Sequence, residues 1–293
     1  MELKYQYRIA GVLISVDAPI EIQDNEAFCI YRYDKQEAED YRIRMVPVQS
    51  VPKEKGALVF ENEMNRVYQE GEKCLHLFHI PFSRGIAAWD YLNTGTETIL
   101  HFLPGTQDYF SYSTGCFNAA GIERILHRFG KYLFHCSYVD YHGQAVLFSA
   151  PSGGGKTTQG TLWEKYADAK MINGDRAALE KTEKGYICHG LPIAGSSGVF
   201  TNRSCPLCAI FVVHKATENR VTRLADEKAF EAVFSELTLN LWNSSFYLDA
   251  VDFAMQLVNQ VPVYRLSCCI DQGAVEAAKK VVDEIMQKEN RSL

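Results

Sequence analysis

The apolar residues 144–150 run directly into Pro151-Ser152-Gly153-Gly154-Gly155-Lys156-Thr157-Thr158, and an amphipathic segment carrying Leu162, Trp163 and Tyr166 follows. A strand, a glycine-rich loop and a helix in that order restrict the chain to architectures in which a buried strand ends beneath a helix N-terminus. Each residue type in the loop suits an anion. The glycines permit positive φ and close backbone approach, so successive N–H groups can point at phosphate oxygens. Lys156 can neutralise β- and γ-phosphates, the Thr157 hydroxyl can reach Mg²⁺, and the helix N-terminus adds partial positive charge. The motif predicts that Ser152, Gly153, Gly154, Gly155, Lys156, Thr157 and Thr158 cradle the phosphates of ATP or another nucleoside triphosphate. The strict pattern has glycine where Ala150 stands. Pro151 already holds residue 150 extended, and a residue that continues the strand needs no glycine. A connector without a ligand is the alternative. Gly160, inside the helix, costs about 1 kcal/mol relative to alanine, which points to close packing or to access near the nucleotide, or marks a position without function.

The rest of the chain is uneven. Short alternating runs at residues 4–9 and 41–46, with strand-like runs at 27–33, 74–80 and 97–103, predict a β-rich segment over residues 1–117. From residue 118 the pattern becomes α/β and continues to residue 293. Asn118 is placed to cap a helix with Ile122, Ile125, Leu126 and Phe129 on one stripe. Strands over 132–139 and 144–149 are joined at His142-Gly143, a hairpin signal. Helices are predicted over 227–242, 247–260 and 273–288.

A chain of 293 residues with 47% hydrophobic residues buries a proper core. The net charge of −6 argues against nucleic acid as a partner. No run is long enough to span a bilayer, the N-terminus reads as a strand rather than a signal peptide, and the cytoplasm is the expected compartment. The nine cysteines are scattered, as expected of buried thiols. Cys205-x-x-Cys208 lacks the second pair that zinc usually requires.

A nucleotide site of this kind needs a carboxylate near the metal. Asp175, in Asn173-Gly174-Asp175-Arg176 just beyond a predicted strand, is the candidate; the same residues would also build a plain surface turn. Arg203 could neutralise transferring phosphoryl charge or lie solvated in a loop. Asp140 suits the hairpin turn, His189 is a weaker pocket candidate, and His76 and His79 fall on opposite strand faces.

With these residues in place, the chain resembles the HPr kinase/phosphorylase-like kinases, a branch of the phosphoenolpyruvate carboxykinase type of P-loop fold. The resemblance rests on His135 and the hairpin Val139-Asp140-Tyr141-His142-Gly143 leading without a gap into the loop, on Ser152–Gln159, and on Asn173–Arg176. It covers roughly residues 119 to 270. It implies an α/β P-loop kinase core with a β-rich N-terminal subdomain. Carried over position by position, it makes His135 the histidine beside the transferred phosphate, Lys156 and Thr157 the phosphate and Mg²⁺ residues, and Asp175 the second acid of a pair. The first acid of that pair is Gly174 here.

The expected activity is ATP- and Mg²⁺-dependent phosphoryl transfer to a hydroxyl on a peptide, a protein or a small molecule, the first subdomain being a candidate acceptor-binding region. A nucleotide-binding regulatory or adaptor module is the alternative, and a carboxykinase a weaker one. A homo-oligomer is compatible with the sequence.

Overall fold

The computed structural model describes residues 2–35, 37–83 and 85–290. The chain is mixed α/β and divides into two compact units, Met1–Phe129 with Asn240–Ser244, and Gly130–Leu239 with Ser245–Leu293.

The first unit contains β1 (Leu3–Ile9), β2 (Val12–Ala18), α1 (Glu26–Cys29), β3 (Tyr41–Pro47), β4 (Ala57–Glu61), β5 (Asn65–Glu70), β6 (Lys73–Phe78), β7 (Ala88–Leu92), β8 (Glu97–Phe102), α2 (Gln107–Phe110), α3 (Ser113–Ala120) and α4 (Ile122–His127). Its strands form one sheet in the order β1-β2-β3-β8-β7-β6-β5-β4. The pairs β2–β3 and β3–β8 are parallel and the others antiparallel. Residues 27–33 do not form the expected strand. Asn25 caps α1 by accepting the Phe28 N–H at 2.9 Å, and Phe28 packs on Phe117 and Tyr7 at ring distances of 5.0 and 5.9 Å. The same packing moves the unit boundary from the expected 117/118 to 129/130: Phe117 sits edge-on to Tyr7, and Arg124 pairs with the buried Asp90 at 3.3 Å. The helix expected from Asn118 is two helices, because Gly121 breaks it at φ +72°.

The second unit contains β9 (Lys131–Tyr141), β10 (Gln144–Ser149), α5 (Lys156–Tyr166), β11 (Lys170–Asn173), β12 (Arg176–Thr182), β13 (Gly185–Gly190), β14 (Ser204–Lys215), β15 (Arg220–Arg223), α6 (Asp226–Phe234), α7 (Ser244–Gln260), β16 (Val263–Cys268) and α8 (Gln272–Asn290), with a short 3₁₀ turn at Gly195–Ser197. Two long strands organise it. The first half of β9 pairs with β12, and its second half pairs with β10 on one edge and β11 on the other. The start of β14 pairs with β13, while its body runs parallel to β10 and β16. The path β9-β12-β13-β14-β10 therefore returns to β9. One core cluster packs Tyr132, Phe134, Leu179 and Cys188 against Phe253 and Leu257 of α7. On another face Phe148 and Phe211 pack against Trp163 of α5 and Val275 of α8.

The hairpin between β9 and β10 forms with two loop residues. His142 and Gly143 both have positive φ, +51° and +86°, as a type I′ turn requires, and Asp140 accepts the Gly143 N–H at 2.8 Å. None of the nine cysteines is joined in a disulfide. Cys205 and Cys208 lie three apart on one strand and belong to different core clusters, so they do not share a metal site. No helix among the described residues is long and apolar enough to cross a membrane.

Candidate functional site

The site lies where β9 changes partners. His135 is the last residue paired with β12, and Cys136 the first paired with β10, opposite Ser149. Ser149 ends its strand there and leads into the glycine-rich loop, its hydroxyl donating to the His135 carbonyl at 3.2 Å. The loop turns tightly, with the Gly154 N–H donating to the Pro151 carbonyl at 2.9 Å and positive φ at Gly153 and Gly155.

No side chain caps the N-terminus of α5, so the N–H groups of its first turn have no partner within the helix. Lys156, the first helical residue, is only 8% exposed, and its ammonium donates to the Ala150 carbonyl at 2.8 Å. Burial lowers its pKa from the usual lysine value, while Glu236 and Asp175 act to keep the proton on. A buried cation beside N–H groups that lack helical partners is an arrangement that suits an anion. Gly160 has a packing role: a Cβ there would lie 2.5 Å from Ser137 Oγ and 2.7 Å from Met171 Sδ, so the glycine lets α5 settle on β9 and β11.

Asp175 is positioned by a buried amide. Asn173 is fully buried; its NH₂ donates to the Leu191 carbonyl at 2.8 Å, and its Oδ1 accepts the N–H groups of Asp175 and Arg176 at 2.8 and 3.0 Å. The turn and the acid are thus one device. The Thr157 hydroxyl donates to the Gly174 carbonyl at 3.1 Å, which ties the loop helix to the acidic turn. Arg176 lies 3.4 Å from Asp175 and also bonds Thr238.

His135 faces two carboxylates. Its Nδ1 is 2.7 Å from Glu236 Oε2, and its Nε2 is 3.8 Å from Asp175 Oδ1. A carboxylate only accepts, so Nδ1 carries the proton, and in the neutral ring Nε2 holds the lone pair on the Asp175 side. Glu236 was not found from sequence, where it fell inside an expected helix over 227–242. That helix ends at Phe234, and the segment after it pairs with β9: the His135 N–H donates to the Glu236 carbonyl at 2.9 Å, and the Thr238 N–H to the Leu133 carbonyl at 2.9 Å. Main-chain pairing therefore delivers the Glu236 side chain to His135.

Gly174 has no room for a side chain, since Ser197 of the 3₁₀ turn occupies that space. Two sequence candidates lie apart from this cluster. Arg203 is exposed and pairs with Asp140 at the end of β9. His189 bonds Ser204 Oγ at 2.7 Å and Glu180 at 2.9 Å. Among the described residues, no three or more His, Cys, Asp or Glu side chains are grouped to hold a metal.

Among solved structures, the HPr(Ser) kinase/phosphatase from Coxiella burnetii aligns over 55% of this chain and 94% of its own, with 9% identity and a TM-score of 0.32. That likeness is too slight to bear on the reaction. No curated protein matches the sequence. The sequence profile of a family described as SynChlorMet cassette protein ScmC matches residues 118–283. This span contains the glycine-rich loop, His135, Asp175 and Glu236, and the chain belongs to the ScmC family.

Proposed function

We propose that the chain is an ATP- and Mg²⁺-dependent phosphotransferase acting on a hydroxyl, with a serine or threonine of a peptide or protein as the favoured acceptor. One observation carries the reading: a buried lysine at an uncapped helix N-terminus sits in the field of Asp175 and Glu236, beside a histidine those two carboxylates flank. Residues 152–158 hold the phosphates, and Lys156 neutralises the β- and γ-oxygens. Thr157 and Asp175 supply the protein oxygens for Mg²⁺, which offsets phosphate charge when bound. Glu236 fixes the imidazole through Nδ1. His135 Nε2 takes the acceptor proton as the acceptor oxygen bonds to the γ-phosphorus and ADP leaves. A histidine–glutamate pair thus does the work of the acid absent at position 174.

Gly174 favours a second reading, a nucleotide-binding regulatory or adaptor module without transfer. Labelled ATP with a panel of hydroxyl acceptors separates the two. Transfer that His135→Asn abolishes supports the kinase; tight ATP binding without transfer to any acceptor supports the module. Absence of ATP binding, with Lys156→Ala indistinguishable from the parent, rejects both.

A further inference from the structure

In the first unit, residues 48–56 connect β3 to β4 across one face of the sheet, because β8, β7, β6 and β5 lie between those strands. The Trp89 indole donates to the Ser50 carbonyl at 3.3 Å and marks the face that is crossed. Gly56 seats the far end: a Cβ there would lie 2.0 Å from the Gln69 carbonyl oxygen. Leu58, Tyr68, Leu75 and Tyr91 stand opposite one another across β4, β5, β6 and β7 and form one row. Tyr91 is two residues from Trp89, so the row belongs to that same face. The alternate row of Val67, His76 and Asp90 is buried, whereas Leu58 and Tyr91, at the two ends of this one, are 47% and 48% exposed.

Where the connection meets the row lies a cavity of about 270 Å³, lined by Pro52, Lys53, Lys55, Tyr68, Lys73 and Tyr91, among others. It falls just below the roughly 300–1,000 Å³ of pockets that enclose a small molecule, and suits one or two side chains of a longer partner. Lys53, Lys55 and Lys73 are exposed, and none of them forms a salt bridge among the described residues. Glu70 lines the same cavity and Glu54 neighbours the Tyr68 hydroxyl, yet neither pairs with these lysines. In a chain of net charge −6, three uncommitted ammonium groups beside an aromatic row select for carboxylates.

We propose that this face docks an acidic, extended peptide segment, with its carboxylates on Lys53, Lys55 and Lys73 and its apolar side chains along Leu58, Tyr68 and Tyr91. Assigning the segment to the peptide or protein acceptor rests on the kinase reading, whereas the docking itself needs neither ATP nor transfer.

Fluorescence anisotropy on the full chain, without nucleotide, tests it. The probe is a short fluorescein-labelled peptide in which glutamate alternates with threonine or valine, and its control carries glutamine for glutamate. The acidic peptide is expected to bind about tenfold or more tightly than the control, and added salt should narrow the gap. Changing Lys53, Lys55 and Lys73 together to glutamine, at exposed positions and with an unchanged thermal melt, should remove the preference. Tyr91→Ala should weaken both peptides roughly fivefold. Equal affinities for the two peptides, or a preference that survives the triple variant, would overturn the proposal. Displacement by inorganic phosphate at equal charge would overturn it in favour of a small anion. A dimer that dissociates in the triple variant would overturn it in favour of a second copy. Docking that persists when no acceptor is phosphorylated would support the proposal and count against the kinase reading; transfer without docking would do the reverse.

Discussion

Ser197 fills the space that a side chain at position 174 would need: a Cβ built on Gly174 would lie 2.2 Å from Ser197 Oγ and 2.5 Å from Ser197 Cβ. The acid that the HPr-kinase resemblance places here is therefore excluded by a neighbouring turn as well as missing from the sequence. Gly174→Asp should destabilise the protein by about 1–3 kcal/mol through overpacking. Adding Ser197→Gly should recover most of that loss. Thermal melts of the two variants check it, and an unchanged melting temperature in the single variant would contradict the packing.

Lys156→Ala should weaken ATP binding roughly 10- to 100-fold, the range of a charge-assisted hydrogen bond to phosphate. Calorimetry at constant ionic strength measures it. Thr157→Ala should show its smaller loss only with Mg²⁺ present, because its proposed role is at the metal.

In the proposed reaction Glu236 acts through His135, which it contacts at 2.7 Å. Glu236→Gln should lower kcat roughly 10- to 100-fold with little change in the affinity for ATP, since the amide can present the wrong group to Nδ1 and spoil the tautomer. His135→Asn should cost at least as much, and the double variant no more than the worse single. A Glu236→Gln enzyme that loses ATP binding instead would place the residue in the nucleotide site.

In the first unit, Asp90 is 2% exposed and lies between His76 at 2.6 Å and Arg124 at 3.3 Å. Burial pushes its carboxyl up, and the Arg124 charge together with the His76 contact overcomes this, leaving its pKa below the usual 3.8. A depressed folded pKa gives stability that is complete above the unfolded value, near pH 4, and is lost as pH falls through the folded value. Asp90→Asn should therefore cost about 3–5 kcal/mol at neutral pH. The gap from the parent should narrow below pH 4, as read by urea unfolding. A gap independent of pH would mean that the loss is steric.

The loop and its surroundings were legible because their signals are local. Residues 144–149 form the expected strand, His142-Gly143 forms the expected turn, and Gly160 proves to be a packing glycine. Asn173-Gly174-Asp175 admitted two readings, and the structure shows a turn built by the buried Asn173, which fixes the main chain of Asp175. Glu236 was hidden because it stands 101 residues from His135 and is delivered by main-chain pairing, which leaves no spacing to read. Arg203 was placed by loop composition alone, and its ion pair with Asp140 takes it elsewhere. Residues 27–33 look like a strand by composition, but the Asn25 cap and the ring contacts of Phe28 decide otherwise.

The two-residue turn at His142-Gly143 carries no reacting group, yet it works as a ruler. It fixes Ser149 opposite Cys136, and so sets where the glycine-rich loop departs relative to His135. One inserted residue would slide β10 along β9 by about 3.3 Å and reverse the faces of its side chains. The lysine and the histidine would then belong to different addresses on the sheet, although neither had been touched. Length at this corner should accordingly be held as strictly as any side chain in the site.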